Sequence, residues 1–221
     1  MRKKNQLILM LCMLSIVILA SCKKEENDTP TPTPTPTASK AFLNITFNTT
    51  NAYFSTNGTM TTPVDSNQVK TITNKIDITF IFNYDYTEPG FFDPKARSQV
   101  WPWNDYYKPW LSNAVETRYY STTLNKTDFD AAKNDQSKIA TYFSQSGTVL
   151  APHAVFPTGS CIGGRQTSGP TSLILNQGKV FGFKNTSSGK RGLLYIRTDQ
   201  YSGWPTPITN FNTKVDIIRE N

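Results

Sequence analysis

Histidine is almost missing from this chain: His153 is the only one in 221 residues, and the cysteines number three, Cys12, Cys22 and Cys161. Zinc sites are assembled from histidine nitrogens and cysteine thiolates, so one imidazole and one available thiol exclude such a centre. No Gly-x-Ser-x-Gly elbow is present, and Ser160 sits outside any such turn, which removes the strained, exposed serine of one large hydrolase class. The regular Asp-x-Asp-x-Asp-Gly calcium loop is also absent. No metal and no cofactor is expected. The basic residues (Lys70, Lys75, Lys95, Arg97, Lys108, Arg118, Lys184, Lys190, Arg191 and Arg197 among them) are scattered and form no dense run that would track a phosphate backbone. Nucleic acid is therefore not an expected partner.

What is present starts with an address. Arg2, Lys3 and Lys4 precede an apolar run at residues 7–20. As a helix, that run reaches only about 21 Å at ~1.5 Å per residue, short of a ~30 Å hydrocarbon core. It reads as the h-region of a signal peptide, not a membrane span. Leu19-Ala20-Ser21-Cys22 then follows. This tetrapeptide resembles the lipobox of bacterial lipoproteins, and the resemblance implies recognition of Leu19, Ala20 and Ser21, cleavage before Cys22, and lipid on the Cys22 sulfur and amine. Ordinary signal cleavage near Ala20, with Cys22 incidental, is the alternative. Loss of residues 1–21 reduces the net charge from +7 and leaves 20 basic against 16 acidic side chains. It also leaves Cys161 as the single thiol of the mature domain, so no internal disulfide can form and the core must carry stability alone.

Lys23, Lys24, Glu25, Glu26, Asn27 and Asp28 make a charged patch behind the anchor. Such a run cannot bury anything and serves as a solvated spacer. It also resembles the export signals that carry Bacteroidetes-type lipoproteins to the outer face of the outer membrane. Residues 29–37 alternate Thr and Pro, which holds polyproline II at ~3.1 Å per residue and makes a stiff stand-off of about 28 Å. Residues 22–39 are thus anchor and linker, and residues 40–221 have the size of one domain.

Within that domain, residues 41–48 and 75–83 alternate apolar and polar positions. Ile76, Ile78, Phe80 and Phe82 are expected on one face, with Asp77 and Thr79 on the other. One helix is expected, capped by Thr127, with Asp128 and Asp130 in its first turn. Phe129, Ala132, Gln136, Ile139 and Phe143 form its apolar stripe, and Gly147 ends it. Residues 179–184 and 191–198 flank a turn-rich stretch as a hairpin, and residues 213–219 close the sheet. The stretch from Gly178 to Ile196 resembles a hairpin of Bacteroidetes surface proteins and brings no catalytic residue with it. The predicted fold is mainly β with one main helix, β-sandwich-like or α+β.

Chemistry-bearing residues are few. His153 and Cys161 stand eight apart among prolines and glycines; a nucleophilic pair would need contact across a loop, and an inert cysteine is the simpler reading. Asp85, Glu88 and Asp93 surround Gly90 and read as a solvated acidic loop in place of a calcium site. The distinctive segment is Trp101-Pro102-Trp103-Asn104-Asp105-Tyr106-Tyr107-Lys108-Pro109-Trp110, which holds three of the four tryptophans. Its prolines discourage helix and central strand. Trp101, Trp103, Tyr106, Tyr107 and Trp110 are the candidate ligand-binding residues, because aromatic faces stack on sugars and anchor protein interfaces; rings buried under a long loop are the competing reading. The sequence thus leads to a membrane-anchored outer-membrane lipoprotein on the cell surface, with the periplasmic face as alternative. Its expected role is a non-enzymatic binding or adhesion module for an extracellular glycan or protein. A hydrolase of surface polymers and a structural component of an envelope complex remain the other two readings.

Overall fold

Large apolar side chains recurring at every second residue build two antiparallel sheets and place one core between them. The computed structural model describes residues 35–83, 88–98, 108–144, 151–152, 154–156, 159–162, 177–198 and 212–221, and Pro36–Asn221 forms one compact unit. In chain order the strands are β1 (Lys40–Asn48), β2 (Tyr53–Phe54), β3 (Ile78–Asn83), β4 (Glu88–Phe92), β5 (Thr117–Ser121), β6 (Ala151–Pro152), β7 (Ala154–Phe156), β8 (Gly159–Ile162), β9 (Val180–Asn185), β10 (Arg191–Ile196) and β11 (Asn212–Arg219). Among the described residues the α-helices are α1 (Ser66–Val69), α2 (Lys126–Asn134) and α3 (Ser137–Ser144). Six strands order as β1-β11-β10-β9-β5-β6 and five as β2-β3-β4-β8-β7. The protein is mainly β.

Phe42, Ile45 and Phe47 of β1, Phe181 and Phe183 of β9, Leu194 and Ile196 of β10, and Val215 and Ile217 of β11 meet Phe54, Ile78, Phe80 and Phe91 of the other sheet. The Phe47 ring stands edge-on to Phe91 at 5.1 Å between centroids, and Phe42 edge-on to Phe54 at 5.3 Å, the arrangement that ring quadrupoles favour. The opposite face of the six-stranded sheet carries Val180, Leu193, Tyr195 and Ile218, and these are covered by Leu124, Phe129, Ala132 and Ile139. The order of layers is therefore helices, six-stranded sheet, core, five-stranded sheet. Gly192 makes one close approach available: a Cβ there would lie 2.3 Å from the Phe183 ring and 2.4 Å from the Ile218 carbonyl oxygen.

Three sequence expectations are corrected. Strict alternation over residues 41–48 would separate Phe42 from Ile45 and Phe47, yet all three are buried together. The register against β11 shifts between Phe42 and Ile45. Asn44 takes φ 58° and gives its N–H to the Asp216 carboxylate at 2.7 Å. This β-bulge adds one residue, reverses the parity of the strand and leaves Leu43 half exposed. The single helix is in fact two. Asn125, not Thr127, is the N-cap, accepting the Thr127 and Asp128 N–H groups while Asp128 accepts the Asn125 N–H. Asp135 then leaves helical geometry at φ −145° and accepts the Ser137 N–H at 3.1 Å; an aspartate that caps a new turn stops the previous one. The third correction concerns Asp77 and Thr79. Both are fully buried, like Ile76 and Ile78 on the other side, so no face of this stretch is open to water.

The segment just before β1 is tied into this unit. Gln136 donates its N–H to the Thr37 carbonyl at 2.8 Å, Ser39 donates its N–H to Lys133 and its hydroxyl to Ala132, and the Asn221 side chain donates to the Ala38 carbonyl. Residues 37–39 of the expected linker are thereby hydrogen-bonded to the helical layer and the C-terminus.

Candidate functional site

Two regions concentrate polar or aromatic chemistry, and they adjoin at one end of the sandwich. The first is a buried network linking the sheets. Asp77 lies just before β3 and is enclosed completely. Its oxygens accept the Thr56 N–H at 2.9 Å, the Thr56 hydroxyl, and the side-chain amides of Asn57 and Asn185 at 3.1 Å each. Asn185, at the end of β9, in turn accepts from the Thr117 hydroxyl at 2.9 Å. The Thr117 N–H donates to Asp93 at 3.0 Å, and Asp93 also holds the Lys95 N–H at 3.1 Å on the same oxygen. Asp77–Asn185 and Asp93–Thr117 are thus two clasps between the five-stranded and six-stranded sheets.

Burial sets the charge state of both acids. Loss of solvation pushes the Asp77 carboxyl above the ordinary range, against the hydrogen bonds from Thr56 and Asn185 and the charge of Arg219, which favour the ion. Asp93 is pushed up to about 7, first by burial and further by the Glu116 charge, against the backbone N–H groups of Thr117, Lys95 and Ala96. Neither can flank a glycosidic bond, since Asp77 is 0% and Asp93 1% exposed. Their environment suits them to holding sheets together. For Asp93 this corrects the expected solvated acidic loop: Glu88–Phe92 is a strand, and Asp93 turns inward at its end. Asp85 lies outside the described residues.

The second region is the root of the tryptophan segment. After Asp93 the chain makes a 3-10 turn, Ala96–Ser98, and a second one, Pro109–Leu111, includes the last two residues of the segment. The Lys108 N–H donates to the Arg97 carbonyl at 2.7 Å, so the chain leaves and returns at neighbouring points. Arg97 is buried, with its guanidinium 5.4 Å from the centroid of the Tyr53 ring. On the returning side, Trp110 is half-buried with its ring 5.2 Å from Tyr53. Arg97, Tyr53 and Trp110 therefore form a fixed base anchored in the core. Trp101, Trp103, Tyr106 and Tyr107 lie outside the described residues, as do Leu19, Ala20, Ser21 and Cys22.

No family model, no curated protein and no solved structure matches this chain. The reading of its site rests on the chain's own chemistry. Cys161 falls in β8 opposite Phe92, while His153 lies outside the described residues. No group of three potential metal ligands occurs among the described residues. Sequence reasoning passed over Thr117 and Asn185, read Asp77 only as part of a polar strand face, and placed Asp93 only in a solvated loop. An acid between two isoleucines, Ile76-Asp77-Ile78, was the available signal that Asp77 is buried; nothing local distinguished the other three.

Proposed function

We propose that the chain is a lipid-anchored outer-membrane protein, carried on Cys22 and displayed at the cell surface. It engages an extracellular glycan or protein without catalysis, through Trp101, Trp103, Tyr106 and Tyr107, with Trp110 as the base that supports them. The observation that carries this reading is the construction of the segment's root. Both stems are pinned, by the Lys108–Arg97 hydrogen bond and by Trp110 on Tyr53, and ten residues with two tryptophans and two tyrosines lie between Arg97 and Lys108. Recognition residues set on a rigid scaffold are the general solution to binding, because the scaffold removes the ordering cost. The lipobox and the Thr-Pro stretch support the address by the arguments from length and composition above.

The test sets thermal melts of Trp101→Ala, Trp103→Ala and Trp110→Ala beside binding to a glycan and protein panel. Truncation of Trp101 or Trp103 should leave folding intact and weaken a bound ligand by ~2 kcal/mol or more, the scale of an aromatic hot spot. Trp110→Ala should lower the melting temperature instead. Strong destabilisation by all three, with no ligand for the wild type, contradicts the binding reading.

A further inference from the structure

Cations that lie far apart in the sequence are gathered by the fold at one end of the six-stranded sheet. Arg118 of β5 stands opposite Lys184 of β9, and Lys184 stands opposite Arg191 of β10. Three like charges thus lie side by side across three neighbouring strands, an arrangement that costs stability. Lys190 is in the turn just before β10, and Lys40 opens β1 opposite Arg219. Two carboxylates answer these cations: Glu116 meets Arg118 at 3.1 Å and Glu220 meets Arg191 at 2.6 Å. Lys184 and Lys190 have no ion pair among the described residues. The Lys40 ammonium sits on neutral groups, the Gly58 carbonyl at 2.9 Å and the Phe42 ring at 5.2 Å. Burial first, and then the charges of Arg219 and Lys190, hold its pKa below the ordinary lysine range, against the pull of Asp77.

We propose that this end of the six-stranded sheet is a docking surface for anionic lipid headgroups, those of the membrane that carries the chain. The choice of a lipid surface rests on the anchored reading above. Neighbouring groups do not cancel the excess of positive charge. Arg219 and Asp77 are both enclosed and offset each other, and in the helical layer Lys133 and Lys138 are balanced by Asp130 and Asp135.

Two features select a lipid surface over a single small anion. The cations extend from β1 to β5 across β11, β10 and β9, about 19 Å at ~4.8 Å per strand, which spans several headgroups. The chain also enters the domain here. Thr37, Ala38 and Ser39 are hydrogen-bonded to the helical layer and to Asn221 directly before Lys40, so the tether is fastened beside the cations. A tether attached at that point raises their effective concentration at the membrane, where each exposed Lys or Arg strengthens attachment about 5-fold. The Thr-Pro stretch limits how far this end can rise; one lipidated residue fixes where the stretch starts and not its tilt. The root of the aromatic segment belongs to the other sheet, at Tyr53 of β2, and docking leaves that segment to its own ligand.

The experiment takes the mature chain with Cys22→Ser, so that no lipid contributes, and measures its co-sedimentation with phosphatidylcholine vesicles, with and without phosphatidylglycerol, over a range of salt. The chain should bind the vesicles that contain phosphatidylglycerol, ignore phosphatidylcholine alone, and be released as salt rises. Lys184→Gln combined with Lys190→Gln should weaken attachment about 30-fold, the product of two losses of about 5-fold. If that pair does not fold, Lys190→Gln alone, in the turn, should still weaken it about 5-fold. Lys179→Gln, exposed at the opposite end of β9, should leave binding as it is. Equal binding to both kinds of vesicle, binding to neither, or lysine variants that bind like their parent overturn the proposal. Retention on an acidic polysaccharide such as polygalacturonate, without binding to vesicles, also overturns it and makes the partner a polymer. Mass spectrometry of the native N-terminus judges the anchor separately: a chain with no lipid on Cys22 that still binds anionic vesicles removes the anchored reading and keeps the docking surface.

Discussion

Asp93 gives the structure a pH dependence opposite in sign to ordinary acid denaturation. Its carboxyl is buried at the end of β4 and is pushed up to about 7, whereas in the unfolded chain it titrates near 3.8. Between these values the native state holds a proton that the unfolded state has released. The unfolded state therefore gains relative stability as pH rises through this window. Asp93 contributes most favourably below about pH 4 and least above about pH 7, a total change on the order of 4 kcal/mol. Asp77, also raised by burial, acts in the same direction. Partly exposed Asp130, held low by Lys126, acts in the other, its contribution being lost as pH falls. Asp93→Asn isolates the effect. Both the Thr117 and Lys95 N–H groups donate to the same oxygen, Oδ1, and an asparagine keeps that acceptor without the charge. Urea unfolding of wild type and Asp93→Asn across the window should show the variant gaining on the wild type as pH rises, by several kcal/mol at the alkaline end. A difference between the two proteins that does not change with pH would refute the assignment of a buried, readily protonated acid.

Other consequences are simpler. Gly192→Ala should cost ~1–3 kcal/mol or more from overpacking, because its Cβ would overlap the Phe183 ring and a backbone oxygen at once. Phe183→Leu should rescue only part of that loss, as double-mutant unfolding would reveal. Asn125→Ala should lower stability by about 1 kcal/mol through loss of the α2 cap, while Thr127→Ala should do much less; equal effects would contradict the observed helix start.

The hairpin β9–β10 and the last strand were legible because aromatic and β-branched residues alternate there with clear turn residues between, and Gly189 takes φ 69° where the turn needs it. β1 was legible as a strand but not in parity. A bulge at Asn44 depends on a distant acceptor, Asp216, and the local pattern carries no sign of it. The break between α2 and α3 was hidden because Phe129, Ala132 and Ile139 keep helical spacing across it, so the stripe continues while the backbone does not. The aromatic segment was found from composition and its prolines, yet only the structure shows that Trp110 belongs to the base of that segment, against Tyr53. The burial of the acids was missed for a physical reason: alternation assigns a charged residue to solvent by default, and Asp77 is retained inside by four donors from three residues, Thr56, Asn57 and Asn185, brought to it by folding.

The claim that an anchored module is displayed outside the cytoplasm is tested most directly at Cys22. Cell fractionation of wild type and Cys22→Ser, with mass spectrometry of the mature N-terminus, should find lipid on the wild-type cysteine and the wild-type protein in membranes, and the variant released into the soluble fraction. A wild-type N-terminus without lipid, together with a Cys22→Ser protein that stays in membranes, would contradict the account.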